Sequence, residues 1–143
     1  MPKRKHLLDV NVLVALTEED HVHHQLAMRW FDAPGLEWCV CPFTEAGFLR
    51  VAVNPKVGMH SVEEATEVLA ALSKHPGYTF WPISMGWTTL TLPFQRRIFG
   101  HQQITDAYLL GLAIREGGIL VTMDKAIQYL AGIEYKAHVL VLE

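Results

Sequence analysis

Cysteine is scarce in this chain of 143 residues, which has two, Cys39 and Cys41. Two residues apart in what reads as an extended segment, they point the same way and are badly placed to pair. That excludes a disulfide scaffold and leaves two small buried residues in a reducing compartment. No Cys/His grouping has zinc-finger spacing. An excess of positive charge is missing too: 12 Lys and Arg stand against 15 Asp and Glu, a formal net charge of −3. A generic basic coat protein for nucleic acid is thereby excluded, although a local basic patch is not. The stretch Pro76 to Gln95 carries no charge, but Pro76, Pro82, Pro93 and its many hydroxyls argue against a membrane span. The apolar run after Lys3-Arg4-Lys5 is broken by Asp9 and Asn11 and lacks a small-residue cleavage site, so no signal peptide is expected. These absences lead us to expect a cytoplasmic protein with no membrane partner.

Apolar sequence is plentiful. Half the residues are hydrophobic and 19% charged, which excludes a disordered tail. The length suits one domain over residues 1–143, burying roughly two-thirds of its unfolded surface. Short apolar runs predict strands at His6–Asp9, Glu37–Val40, Thr79–Trp81, Ile119–Thr122 and Val139–Leu142. They do not alternate cleanly, as suits strands buried on both faces. Helical patterns lie between them. His21 to Asp32 follows Asp20, a candidate N-cap, and Phe43 to Val53 follows Pro42. Ser61 with Glu64 forms a capping box opening a helix to about Lys74. Gly86 to Phe99, interrupted by Pro93, Ile104 to Glu116 before Gly117-Gly118, and Lys125 to Leu130 complete the set. Strands alternating with helices predict an α/β fold, a three-layer α/β/α sandwich around a parallel sheet of about five strands.

Ligands of such folds bind beyond the carboxyl ends of the strands. Asp9 ends the first apolar run and Asp124 follows the fourth; Glu45 and Asp106 fall in the first turns of helices that begin at the same edge. Four acids from four segments thus converge on one rim. Close carboxylates repel one another and need a compensating charge. A hard divalent cation, Mg²⁺ or Mn²⁺, provides it with water completing the shell. Taken singly, the acids have plainer explanations as helix caps, first-turn residues favoured by the helix dipole, or partners of Arg50, Arg96 or Arg97.

Four words occur in order: Leu8-Asp9-Val10-Asn11-Val12-Leu13, Thr44-Glu45-Ala46, Ile104-Thr105-Asp106-Ala107-Tyr108 and Val121-Thr122-Met123-Asp124. Together they resemble the PIN-domain family, and within it the VapC-type toxins of toxin–antitoxin pairs, over essentially the whole chain. The first and third words are the more specific. The resemblance implies a metal-dependent endoribonuclease holding one or two ions. It puts Asp9, Glu45, Asp106 and Asp124 in the catalytic, metal-binding set, with Asn11 and Thr122 as polar companions. It also implies an RNA substrate, with transfer RNA as one expectation, a homodimer, and an antitoxin whose tail covers the site. The chain departs from the pattern at Ile127, where many relatives carry a further acid.

Arg50, Arg96, Arg97 and Lys125 are candidate RNA contacts, each equally readable as a solvated helix face. Lys3-Arg4-Lys5 reads as a solvated start, His21-Val22-His23-His24 as an exposed helix start with no third metal ligand, and Thr44 and Thr105 as caps. Two other functional classes compete. A haloacid-dehalogenase-like phosphatase needs an Asp where Asn11 stands. A catalytically silent PIN-like module, binding RNA or protein, keeps the acids without turnover.

Overall fold

The computed structural model describes residues 3–58 and 60–143. Five strands, β1 (His6–Leu8), β2 (Trp38–Val40), β3 (Tyr78–Phe80), β4 (Ile119–Thr122) and β5 (Val139–Val141), form one sheet. Their order is β3-β2-β1-β4-β5 and every pairing is parallel. Each strand lies within a residue of the apolar run that predicts it. Alternate side chains serve opposite faces. Leu7, Cys39 and Leu120 join one buried cluster, whereas Leu8, Trp38, Val40 and Val121 join the other. Both cysteines are buried and free.

Seven helices cover the two faces: α1 (Val10–Thr17), α2 (His24–Phe31), α3 (Pro42–Val53), α4 (Val62–Leu72), α5 (Trp87–Thr91), α6 (Ile104–Arg115) and α7 (Ala126–Tyr135). The first four pack with the Leu8 cluster and the last three with the Leu7 cluster, which makes the three layers. Among the described residues, no helix is long and apolar enough to cross a membrane.

Several boundaries follow the chemistry of the sequence. Pro42 occupies the first turn of α3, and Ser61 and Glu64 close a reciprocal capping box, both bonds 3.0 Å. Gly117, at φ 68°, ends α6 in the left-handed conformation that glycine adopts freely.

Other expectations fail for identifiable reasons. Helix α1 is absent from the predicted set because Val10, Val12 and Val14 favour strands locally; burial of Val12, Leu13, Ala15 and Leu16 overrides that preference. Helix α2 begins at His24, not His21. Asp20 does not cap it, and His24 Nδ1 instead donates to the Ala15 carbonyl at 2.8 Å, tying α2 to α1. The helix expected over Gly86 to Phe99 shrinks to α5, since Pro93 cannot continue it, and a short 3₁₀ turn follows at Gln95–Arg97. Trp81, Leu90 and Phe94 from this uncharged stretch are buried core. Helix α7 runs beyond Leu130 to Tyr135 through a break at Gly132, where φ is 65°. Arg4 is not simply solvated: its guanidinium donates to the carbonyls of Ala137 at 2.9 Å and Gly118 at 2.9 Å.

The chain moves outward through β1, β2 and β3, then returns across the sheet to β4 and β5. The direction of winding reverses between β1 and β4, which opens a crevice at their carboxyl ends. Thr44 fixes α3 to this edge. It is fully buried, and its hydroxyl donates to the Leu8 carbonyl at 2.7 Å rather than capping the helix. Thr44→Val keeps the shape and orphans that carbonyl. Urea unfolding should show a loss of about 1–3 kcal/mol.

Candidate functional site

Asp9 follows β1 and caps α1. One carboxylate oxygen accepts from the Val10 N–H at 2.7 Å and the other from the Thr122 hydroxyl at 2.7 Å. The residue is 6% exposed, and burial raises its pKa against the lowering effect of these two bonds. Thr122, at the end of β4, is completely buried. Its hydroxyl gives its one proton to Asp9 and accepts from the Asp124 N–H at 3.0 Å and, more weakly, from the Asn11 carboxamide at 3.5 Å. Asn11 Oδ1 in turn accepts from the Met123 N–H at 3.3 Å. One connected network therefore joins the ends of β1 and β4 across the crevice.

Asp124 follows β4, and its carboxylate accepts from the Ala126 N–H at 2.9 Å, turning the chain into α7. Asp106 lies in the first turn of α6. Its pKa is raised to about 7, first by burial and then by the charges of Asp9 and Asp124. Asp124 also raises Asp9. The charges of Asp9 and Asp124 thus reach Asp106, and that of Asp124 reaches Asp9, across the separated segments of these three aspartates. Among the described residues, no Arg or Lys forms an ion pair with any of them. Equally, no three His, Cys, Asp or Glu side chains there form a ready-made metal cage.

Glu45 is placed differently. It occupies the first turn of α3, and only desolvation raises its pKa; the aspartates make no contribution. Its side chain lines a small cavity with Leu13, Trp38, Leu69 and Tyr78, and its charge raises the Tyr78 pKa. Ile127 is buried in the core under α7, so that position faces inward rather than the rim.

The candidate RNA contacts are scattered. Arg50 sits in the last turn of α3, away from the carboxyl edge. Arg97 is engaged structurally, donating to the Ala131 carbonyl at 3.3 Å and to Glu134 at 3.2 Å, with its guanidinium against Gly132. Lys125 pairs with Glu143 at 3.0 Å, and Arg96 is exposed. Composition gave no hint of the aromatic cluster joining the starts of three helices. Phe43 and Tyr108 lie 4.5 Å apart, and Trp87 lies 5.1 Å from Tyr108.

A model of the PIN domain matches residues 6–133. The chain belongs to the PIN-domain family. Within it the chain is of the VapC type. It is 44% identical over 128 residues to the ribonuclease VapC38 of Mycobacterium tuberculosis, covering 87% of this chain and 89% of that protein. To the ribonuclease VapC39 of the same organism it is 40% identical over 124 residues, covering 85% and 89%. In fold, it resembles a chain of VapBC2 from Rickettsia felis, solved bound to a promoter DNA fragment, with a TM-score of 0.62 and 15% identity over 97% of this chain and 99% of that one. A chain of FitAcB from Neisseria gonorrhoeae gives a TM-score of 0.64 at 15% identity, covering 96% of each.

In this PIN domain Asp106 and Asp9 carry a pH signature. The Asp106 carboxyl changes from its ordinary 3.8 to about 7 on folding. Stability due to its neutral form is complete below the lower value and disappears as pH rises through the upper one. Asp9 acts in the same direction. In chelator-treated protein the urea midpoint should fall as pH rises from about 4 to 8. Asp106→Asn should flatten much of that fall and be the more stable protein at the alkaline end.

Proposed function

We propose that this PIN domain is a divalent-metal-dependent endoribonuclease, the toxin of a toxin–antitoxin pair. The observation that carries the reading is electrostatic: the charges of Asp9 and Asp124 reach Asp106, and among the described residues no Arg or Lys pairs with any of the three. Relatives called ribonuclease VapC, at up to 44% identity among those compared, support the reaction class. The name VapBC2 of a structural neighbour supports an antitoxin partner. The family resemblance further suggests a homodimer in the cytoplasm, with transfer RNA among the substrates to try first.

The donor chemistry fits Mg²⁺ or Mn²⁺. All donors are carboxylate oxygens, which hard dications prefer, and each Asp9 oxygen uses one acceptor position on its protein partner and keeps another. Asp9, Asp106 and Asp124 would hold the ion. Glu45, on the neighbouring helix, would take part through water. Bound there, a divalent ion supplies charge that offsets the scissile phosphate and acidity that makes water a nucleophile at neutral pH. The protein's own part is orientation. Val10 N–H and the Thr122 hydroxyl hold Asp9 by both oxygens, so the carboxylate plane cannot rotate freely. Asn11 and the Asp124 N–H fix the Thr122 hydroxyl, which directs its proton at Asp9 alone. Protonated Asp106 binds cations poorly, so the free protein gains affinity for the ion as pH rises past about 7.

Purified protein given structured RNAs should cleave with Mg²⁺ or Mn²⁺ and stop with a chelator. Asp9→Ala and Asp106→Ala should each lose at least about 100-fold in rate while remaining folded. Undiminished cleavage by both variants would overturn the assignment and leave a silent binding module. A milder outcome is expected at the hydroxyl. Thr122→Val should lower the rate roughly 10–100-fold by freeing the Asp9 carboxylate, with a matching loss of Mn²⁺ affinity by calorimetry.

A further inference from the structure

One large apolar side chain, shortly ahead of α6 in the chain, is not explained by folding. Phe99 is 88% exposed. Its loop is nevertheless held in place: Gln103 Oε1 accepts from the Phe99 N–H at 2.6 Å and from the Gly100 N–H at 3.3 Å. The same segment, Phe99 to Gln103, walls an open cleft of about 340 Å³. Its lining is one aromatic ring, a histidine, two carboxamides and a glycine, so it offers a stacking face beside hydrogen-bonding groups. The 3₁₀ turn His101–Gln103 runs directly into α6. Gln103 is the N-cap of α6, whose first turn carries Asp106. Arg96, three residues before Phe99, is exposed and lines a separate pocket with Leu92, Phe94 and Glu134.

We infer that this cleft is a nucleobase subsite, in which one unpaired base of the RNA strand stacks on Phe99 while the adjoining backbone reaches the aspartates. The inference rests on the ribonuclease reading and adds to it how the strand is held. Stacking on an exposed ring whose backbone is held by Gln103 costs little loop ordering and accepts any base. His101 and Gln102, both exposed, supply edge contacts that would bias the choice of base. Arg96, three residues before Phe99 in the chain, is the exposed cation available to a phosphate leaving the cleft. The polar lining favours a nucleotide over a protein surface at this cleft. Exposed apolar residues elsewhere, Tyr129 and Ile133 on α7, mark the competing use of such a ring, contact with another polypeptide.

The probe is a short single-stranded RNA carrying 2-aminopurine, titrated in Mg²⁺ onto the Asp9→Asn protein so that cleavage does not consume it. Binding should quench the fluorescence. Adding Phe99→Ala should weaken binding about tenfold or more and abolish the quench, while Phe99→Tyr should retain both. In the cleaving protein, Phe99→Ala should raise KM and leave kcat nearly unchanged. Unchanged affinity and KM in Phe99→Ala overturns the subsite, as does failure of the parent protein to bind the probe. Unchanged RNA affinity combined with a smaller sedimentation coefficient for Phe99→Ala assigns the ring to a protein contact and also overturns it. Quenching that depends on Phe99 in a protein that cuts no RNA would leave the subsite standing and refute the nuclease reading instead.

Discussion

The proton of a single buried hydroxyl organises the functional edge of this molecule. Thr122 donates to Asp9 and accepts from the backbone of Asp124, so that one side chain aligns the two loops leaving β1 and β4. A buried carboxylate with no basic partner is tolerable only where donors compensate it. Thr122 and the Val10 amide provide that compensation, yet they leave Asp9 and Asp106 above their ordinary pKa values. The strained charge balance at this edge is the natural counterpart of a ligand of opposite sign.

Fold and site depend on one another through topology. Because winding reverses between β1 and β4, the loops after these strands diverge and cannot cover the crevice between them. The two apolar clusters hold the sheet from either side, and Thr44 pins α3 to the end of β1. Rigid packing below the edge thus permits electrostatic tension at the edge, where a looser scaffold would let the aspartates swing apart into water.

Much of the architecture was legible in the sequence because doubly buried strands are continuous apolar words and glycine, proline and the Ser61–Glu64 box punctuate them. The three-layer fold and all five strands could be read in that way. Helix α1 could not, since its valines speak locally for a strand and only burial makes them helical. Asp20 has the residue type of a cap, but the backbone there does not enter a helix for another four residues. At the candidate site, position along strand ends and helix starts is enough to name Asp9, Asp106 and Asp124, which the structure puts after β1, in the first turn of α6 and after β4. Glu45 joins them by topology alone, and the cavity it lines with Leu13, Trp38 and Tyr78 is not legible from its segment. Side-chain direction within a helical turn is set by packing against neighbours that no single segment specifies. The engagement of Arg97 with Glu134 and α7 was hidden for the same reason.

The grip of Arg4 on Gly118 and Ala137 has a practical corollary. It anchors the leading segment at the amino ends of the strands, the pole of the molecule opposite the aspartates. Glu143, by contrast, pairs with Lys125 right next to Asp124. An affinity handle or surface tether added ahead of Arg4 would leave the acidic crevice facing open solution. The same appendage attached behind Glu143 would emerge beside it and compete with whatever polyanion approaches.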